Sequence, residues 1–160
     1  MNTLIQTNGG ELFLFGGGQY GQHGKTVRQR DEELKEFRAK EAAERLKMQC
    51  DNEPLLVRFP DAANVKVNTI ACGGEHIIVI TNAYEAFSWG RNDSGQLGLG
   101  FISEMVGSPT RVDSLGQKNL KFAAAGENYS GVLSAFGEVL VTGSLEFGKC
   151  GLGEAAFKGY

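Results

Sequence analysis

Three groups of residues in this 160-residue chain have the types and spacing to do chemistry. Gly16-x-Gly18-x-x-Gly21 has the spacing of a dinucleotide-binding turn, in which glycines let the backbone approach a pyrophosphate at a helix N-terminus. Gly24-Lys25-Thr26 has the ending of a phosphate loop. Cys72 and His76, four positions apart, could form half of a metal site. None of the three is completed by its surroundings. The dinucleotide turn needs a strand before it, a helix opening on the glycines and an acidic residue about twenty positions on. The phosphate loop needs a glycine five places before Gly24, where Gln19 stands. A metal would need further ligands, and the chain offers only His23 and the distant Cys50 and Cys150. Glu75, Glu85, Glu127 and Glu138 are scattered, with no pair set out as acid and base. The sequence therefore assigns no catalytic, metal or cofactor-binding residue, and the reading is of a protein that is not an enzyme.

The glycines belong to something else, a repeat. Trp89-Gly90-Arg91-Asn92-Asp93-Ser94-Gly95-Gln96-Leu97-Gly98 has a weaker copy upstream, Phe15-Gly16 to Gly21-Gln22-His23-Gly24, and another downstream, Thr142-Gly143 to Gly148-Lys149-Cys150-Gly151. The offset from central to last copy is 53 residues and holds backwards, placing Gly73 on Gly126, His76 on Tyr129, Ile80 on Leu133 and Thr81 on Ser134. From first to central copy it is 74, which places Thr7 on Thr81, Phe13 on Phe87 and Gly21 on Gly95. The excess of 21 residues is absorbed by the dissimilar stretch from Lys25 to Cys50.

Within a copy the pattern is that of short strands. Thr69-Ile70-Ala71-Cys72 and Ile77-Ile78-Val79-Ile80-Thr81 are rich in β-branched residues, and Ala86-Phe87-Ser88-Trp89 alternates toward an aromatic end. Gly73-Gly74, Asn82 to Glu85 and Gly90 to Gly98 supply the turns. Repeated short sheets of this kind predict an all-β, partial β-propeller of about two and a half to three four-stranded antiparallel blades, with one inserted α-helix. The expected division is 1–24 as the end of a first blade, 25–50 as the charged helix, 51–107 as the central repeat and 108–160 as a last, incomplete repeat.

Ala71-Cys72-Gly73-Gly74-Glu75-His76, then Ile80-Thr81, then Trp89 to Gly98, resembles the repeat of the regulator of chromosome condensation family. The resemblance implies a seven-bladed propeller that acts more often as a scaffold than as an enzyme. It also assigns repeat-building roles to Phe15, Gly16, Gly21, Gly73, His76, Trp89, Gly90, Asn92, Gly95, Gln96, Leu97, Gly98, Gly126, Gly143, Gly148 and Gly151. Tyr84 stands where the repeat usually has Gly, Tyr129 where it has His, and Thr142 and Phe15 where it has Trp. Seven such units would need several hundred residues, so the chain is expected to be a fragment or an open arc completed by other residues.

Lys25 to Cys50 contains no Gly or Pro and pairs Glu36 with Lys40 and Glu41 with Arg45 at i,i+4, which predicts a helix. Its apolar residues sustain no heptad, so it reads as a solvated arm or as a docking element, with Leu34 and Phe37 as anchors and Arg28, Arg30 and Arg38 as a charged rim. Phe101 to Ser108, including Phe101 and Met105, is expected to form the matching excursion one copy later, on the same face. The opening strands after the two excursions are Pro54 to Pro60 and Pro109 to Val112.

A net charge of −3 gives no field to attract nucleic acid, so none is expected as a partner. Three cysteines without a C-x-x-C pairing point to a reducing, intracellular compartment, the cytoplasm, cytoskeleton or cilium ahead of the nucleus. There is no membrane-spanning run, and the two sequons at Asn92 and Asn128 are expected to stay unmodified. The functional expectation is a protein-interaction or scaffold module within a larger assembly. Guanine-nucleotide exchange on a small GTPase is the alternative implied by the family, and a cytoskeletal or ciliary structural role is a third.

Overall fold

The computed structural model describes residues 2–16, 51–60, 65–116, 118–149 and 151. Among the described residues, ten strands form three antiparallel sheets. The first contains β1 (Asn2–Gln6), β2 (Leu12–Gly16) and β3 (Asp51–Leu56) in that order. The second contains β4 (Val67–Cys72), β5 (His76–Thr81), β6 (Ala86–Asn92) and β7 (Ser103–Arg111). The third contains β8 (Leu120–Ala125), β9 (Tyr129–Ser134) and β10 (Val139–Gly143). This is the expected all-β propeller arc, with four strands in the central blade and three described strands in each neighbour. The helix expected over 25–50 lies outside the described residues.

Strand order explains how repeat and blade relate. Residues 51–56, which open a sequence repeat, pair with β2 of the preceding unit, and β7 does the same for β6, so each unit's opening strand closes the sheet before it. This corrects the expectation that Phe101 to Ser108 forms an excursion. Ser103–Arg111 is a strand, with Gly90 opposite Val106 and Arg91 opposite Met105. The outward edge of β6 needs partners for its backbone N–H and C=O groups, and this stretch supplies them.

The 53-residue register survives in backbone detail. The ladder slips between Val67 and Thr69 in one blade and between Leu120 and Phe122 in the next. The lower hairpins superpose across all three copies: Thr7, Thr81 and Ser134 donate their N–H to the carbonyls of Glu11, Glu85 and Glu138, each at 2.9 Å. In each turn a residue takes positive φ: Gly10 at 90°, Gly137 at 83°, and in the central copy Tyr84 at 62°. That is why a glycine is usual there.

β5 is buried along its whole length because its sheet is covered on both faces. Alternation sends Ile77 and Val79, with Phe87 and Trp89 of β6, into a cluster with Leu12 and Leu14 of the first sheet. Ile78, Ile80 and Ala86 face the opposite way, into a cluster with Leu120, Ala123 and Val132 of the third sheet. Trp89 and Phe87 are thus core between neighbouring sheets.

Candidate interaction face

At the end of the second and third sheets opposite the hairpins, two connections meet: the short turn between the first two strands and the longer glycine loop. In the short turn Gly73 lies under the His76 ring, where an added Cβ would come within 2.2 Å of the imidazole. One copy on, Gly126 lies under the Tyr129 ring at 2.1 Å by the same measure. Gly90 and Gly143 then pass the backbone of the same turns so closely that a Cβ would meet the carbonyls of Glu75 and Asn128 at 2.5 Å. Arg91 and Ser144 donate their N–H groups to those carbonyls, each at 2.9 Å. Only glycine, at φ 108° and 104°, fits this crossing.

His76 is fully buried and sits 2.7 Å through Nε2 from the Ser130 hydroxyl of the third sheet, so it is a rivet between blades. Among the described residues its Nδ1 has no hydrogen-bond partner. Burial lowers its pKa to about 4, with the Tyr129 backbone pulling weakly the other way. Among the described residues no three His, Cys, Asp or Glu side chains gather as metal ligands.

The buried polar residues of the glycine loop, Asn92 and Gln96, are consumed inside it. Asn92 accepts the Leu97 N–H at 3.2 Å and donates to the Phe101 carbonyl at 2.9 Å. Gln96 accepts the Ser94 N–H at 2.9 Å, and Ser88 donates to the Leu97 carbonyl at 2.8 Å. Asn92, Gln96 and Leu97 are buried, so their role is to fold the loop, not to meet a ligand. Gly95 and Gly98 take positive φ in this loop, as Gly148 and Gly151 do in the next copy.

What this end presents outward is a mixture of charge and exposed apolar surface. Arg91 bridges Glu75 at 2.6 Å and Asp93 at 2.7 Å, and its hydrogen bond holds the Asp93 carboxyl below the usual range. These groups, with Ser94, Glu127 and Asn128, line a cleft of about 540 Å³ between the second and third blades. Phe101 is 53%, Ile102 72% and Phe147 93% exposed on the same end.

Of the residues singled out from sequence as partner-binding, the structure places Phe101 on this end and half-buried Met105 in β7 opposite Arg91. Phe15 and Gly16 end β2, whose chain leaves the first blade from the same end. Gly21, Arg28, Arg30, Leu34, Phe37 and Arg38 lie outside the described residues. Sequence reading missed Ile102, Phe147 and the Glu75–Arg91–Asp93 cluster. Phe147 was findable: it falls at the position of Ser94 in the 53-residue register, an aromatic where the loop has a hydroxyl.

Comparison with known proteins gives a consistent result. The model of the "Regulator of chromosome condensation (RCC1) repeat" matches residues 85–133, and a second model of that repeat matches 67–96. The chain is 39% identical over 85 residues to the human X-linked retinitis pigmentosa GTPase regulator, covering 53% of this chain and 8% of that protein. It is 32% identical over 90 residues to the ultraviolet-B receptor UVR8 of Arabidopsis thaliana, covering 56% of this chain and 20% of the receptor. Among solved structures, Prp20p from Saccharomyces cerevisiae, described with its binding properties to Gsp1p and histones, superposes with a TM-score of 0.64 at 27% identity, covering 91% of this chain and 29% of that one. The chain thus spans about a fifth or less of the curated relatives named here.

Proposed function

Because this chain belongs to the regulator of chromosome condensation repeat family, we propose that it is a non-enzymatic protein-interaction module within a larger assembly. Its contact surface is the end of the blades that carries the glycine loops. One observation carries the reading: Phe101, Ile102 and Phe147 stand in solvent on the same end as the Glu75–Arg91–Asp93 cluster, while Asn92 and Gln96 are spent inside the loop. An apolar core with a charged rim is the composition of a protein contact. The segment from Lys25 to Cys50, with Leu34, Phe37 and its arginines, is a second contact element of the proposal.

The test is affinity capture with the intact chain and with Ile102→Asp/Phe147→Asp. Both residues are exposed, so the variant should fold, and loss of the captured partner is expected. Capture equal to wild type would refute the surface. Guanine-nucleotide exchange is the second reading, favoured by the similarity to a protein named as a GTPase regulator. A panel of GTPases loaded with fluorescent nucleotide separates the two: accelerated release supports exchange, and a stable complex without release supports the interaction module.

A further inference from the structure

The two interfaces between blades are built from equivalent positions but are not equally filled. In the first, Phe59 stacks edge-on against Phe87 at 5.1 Å and against Trp89 at 6.4 Å, and Ile77 and Val79 complete the face. Shifting by 53 residues puts Val112, Leu140 and Thr142 at the three aromatic positions, Ser130 at that of Ile77 and Val132 at that of Val79. Three rings and a branched alkyl side chain are thus replaced by smaller groups. Close-packed interiors relax only partly when side chains shrink, so a void is expected here. The structure has one: a partly open cavity of about 220 Å³ lies between the second and third sheets, walled by Val112, Ser130, Val132, Leu140 and Thr142, with Ile78 and Leu97 opposite.

We propose that this cavity is a binding site for a small, neutral, planar aromatic molecule with one N–H or O–H donor, of the size and kind of indole. The occupant is read from the neighbouring interface, where Trp89 supplies that same ring from the position Thr142 holds here. The size suits it: an apolar cavity of about 150 Å³ already takes up benzene. Among the described residues no charged side chain lines the cavity, which selects against ions. The donor has a partner as well. Thr142 gives its only hydroxyl proton to the Gly95 carbonyl at 2.7 Å, so its oxygen keeps lone pairs that can only accept. Ser130 is engaged by His76 and Ser114 by the Gly98 carbonyl, leaving bulk water few wall groups to bind.

The experiment is a titration of the whole chain with 5-fluoroindole followed by fluorine NMR, with nuclear Overhauser contacts sought to the methyls of Val132 and Leu140. Saturable binding with those contacts is expected, weakened about tenfold or more for 1-methylindole, which has no donor. Thr142→Trp fills the cavity with the ring used next door and should abolish binding. Should that larger change perturb folding, Leu140→Phe, which copies Phe87 and adds less volume, should weaken binding about tenfold. Absence of saturable binding to the wild-type chain overturns the proposal, as does binding undiminished in the folded variants.

Discussion

Burial of His76 makes a quantitative statement about acid. In the native chain its ring is dry, with Nε2 on Ser130 and Nδ1 unpartnered, so the charged form, which needs acceptors at both nitrogens, is disfavoured. Its pKa falls from 6.5 to about 4. At about 1.4 kcal/mol per unit this is a differential of about 3 kcal/mol, a large part of the 5–15 kcal/mol that typically holds a domain together. The sign follows from proton binding. Between pH 6.5 and 4 the unfolded chain takes up a proton that the folded chain refuses, so stability is complete above pH 6.5, falls as pH drops and levels off near 4. His76→Tyr removes this component, and Tyr129 over Gly126 shows that a phenol ring fits the same bed. Urea unfolding of both proteins from pH 7.5 to 4, followed by the fluorescence of Trp89, which is the sole tryptophan and fully buried, gives the difference directly. Every other group is common to both proteins and cancels in the difference, and the lost Ser130 contact is a pH-independent offset. The wild type should lose about 3 kcal/mol relative to the variant across that range. Parallel curves would refute the buried, neutral rivet.

Two substitutions separate conformation from contact. Gly90→Ala sets a Cβ against the Glu75 carbonyl at φ 108° and should destabilise by at least about 2 kcal/mol in denaturant melts, whereas Gly137→Ala, at φ 83° with open space around it, should lose only about 1 kcal/mol. Tyr84→Gly relieves a positive φ at a side chain that is 50% exposed, and the gain, partly offset by greater unfolded-state freedom, should be about 0.5 kcal/mol, read as a higher midpoint.

Much of the fold was legible because the repeat writes its constraints into residues with few substitutes. Gly73 and Gly126 sit under rings, Gly90 and Gly143 cross a backbone, and the drift of His76 to Tyr129 preserves that geometry, so register alone located the turns. Pro109 onward was read as a strand, but the first part of β7, Ser103 to Ser108, was misread because its residues carry little strand pattern of their own. What makes them a strand is the free edge of β6, a tertiary demand absent from local sequence. The face was legible only in part: Phe101 was named, but the exposure of Ile102 and Phe147 depends on which side of a loop points outward, which composition does not encode. The substitution of Thr142 for Trp89 was visible, yet its consequence, a cavity, needed the facing sheet to be in place.

An exposed row on the third blade bears on the arc itself. Phe122, Leu133 and Val139 lie side by side across β8, β9 and β10 in solvent, whereas Ile80 and Ala86, at the positions of Leu133 and Val139 in the second blade, are covered by the third.

The central claim, that the glycine-loop end is the working surface, is tested most directly by hydrogen exchange on the chain alone and in complex with the partner it captures. Slower exchange on binding is expected at residues 91–102, 126–128 and 144–149, with the hairpins at 7–11, 82–85 and 135–138 unchanged. Protection confined to those hairpins, or none at the loops, would contradict it.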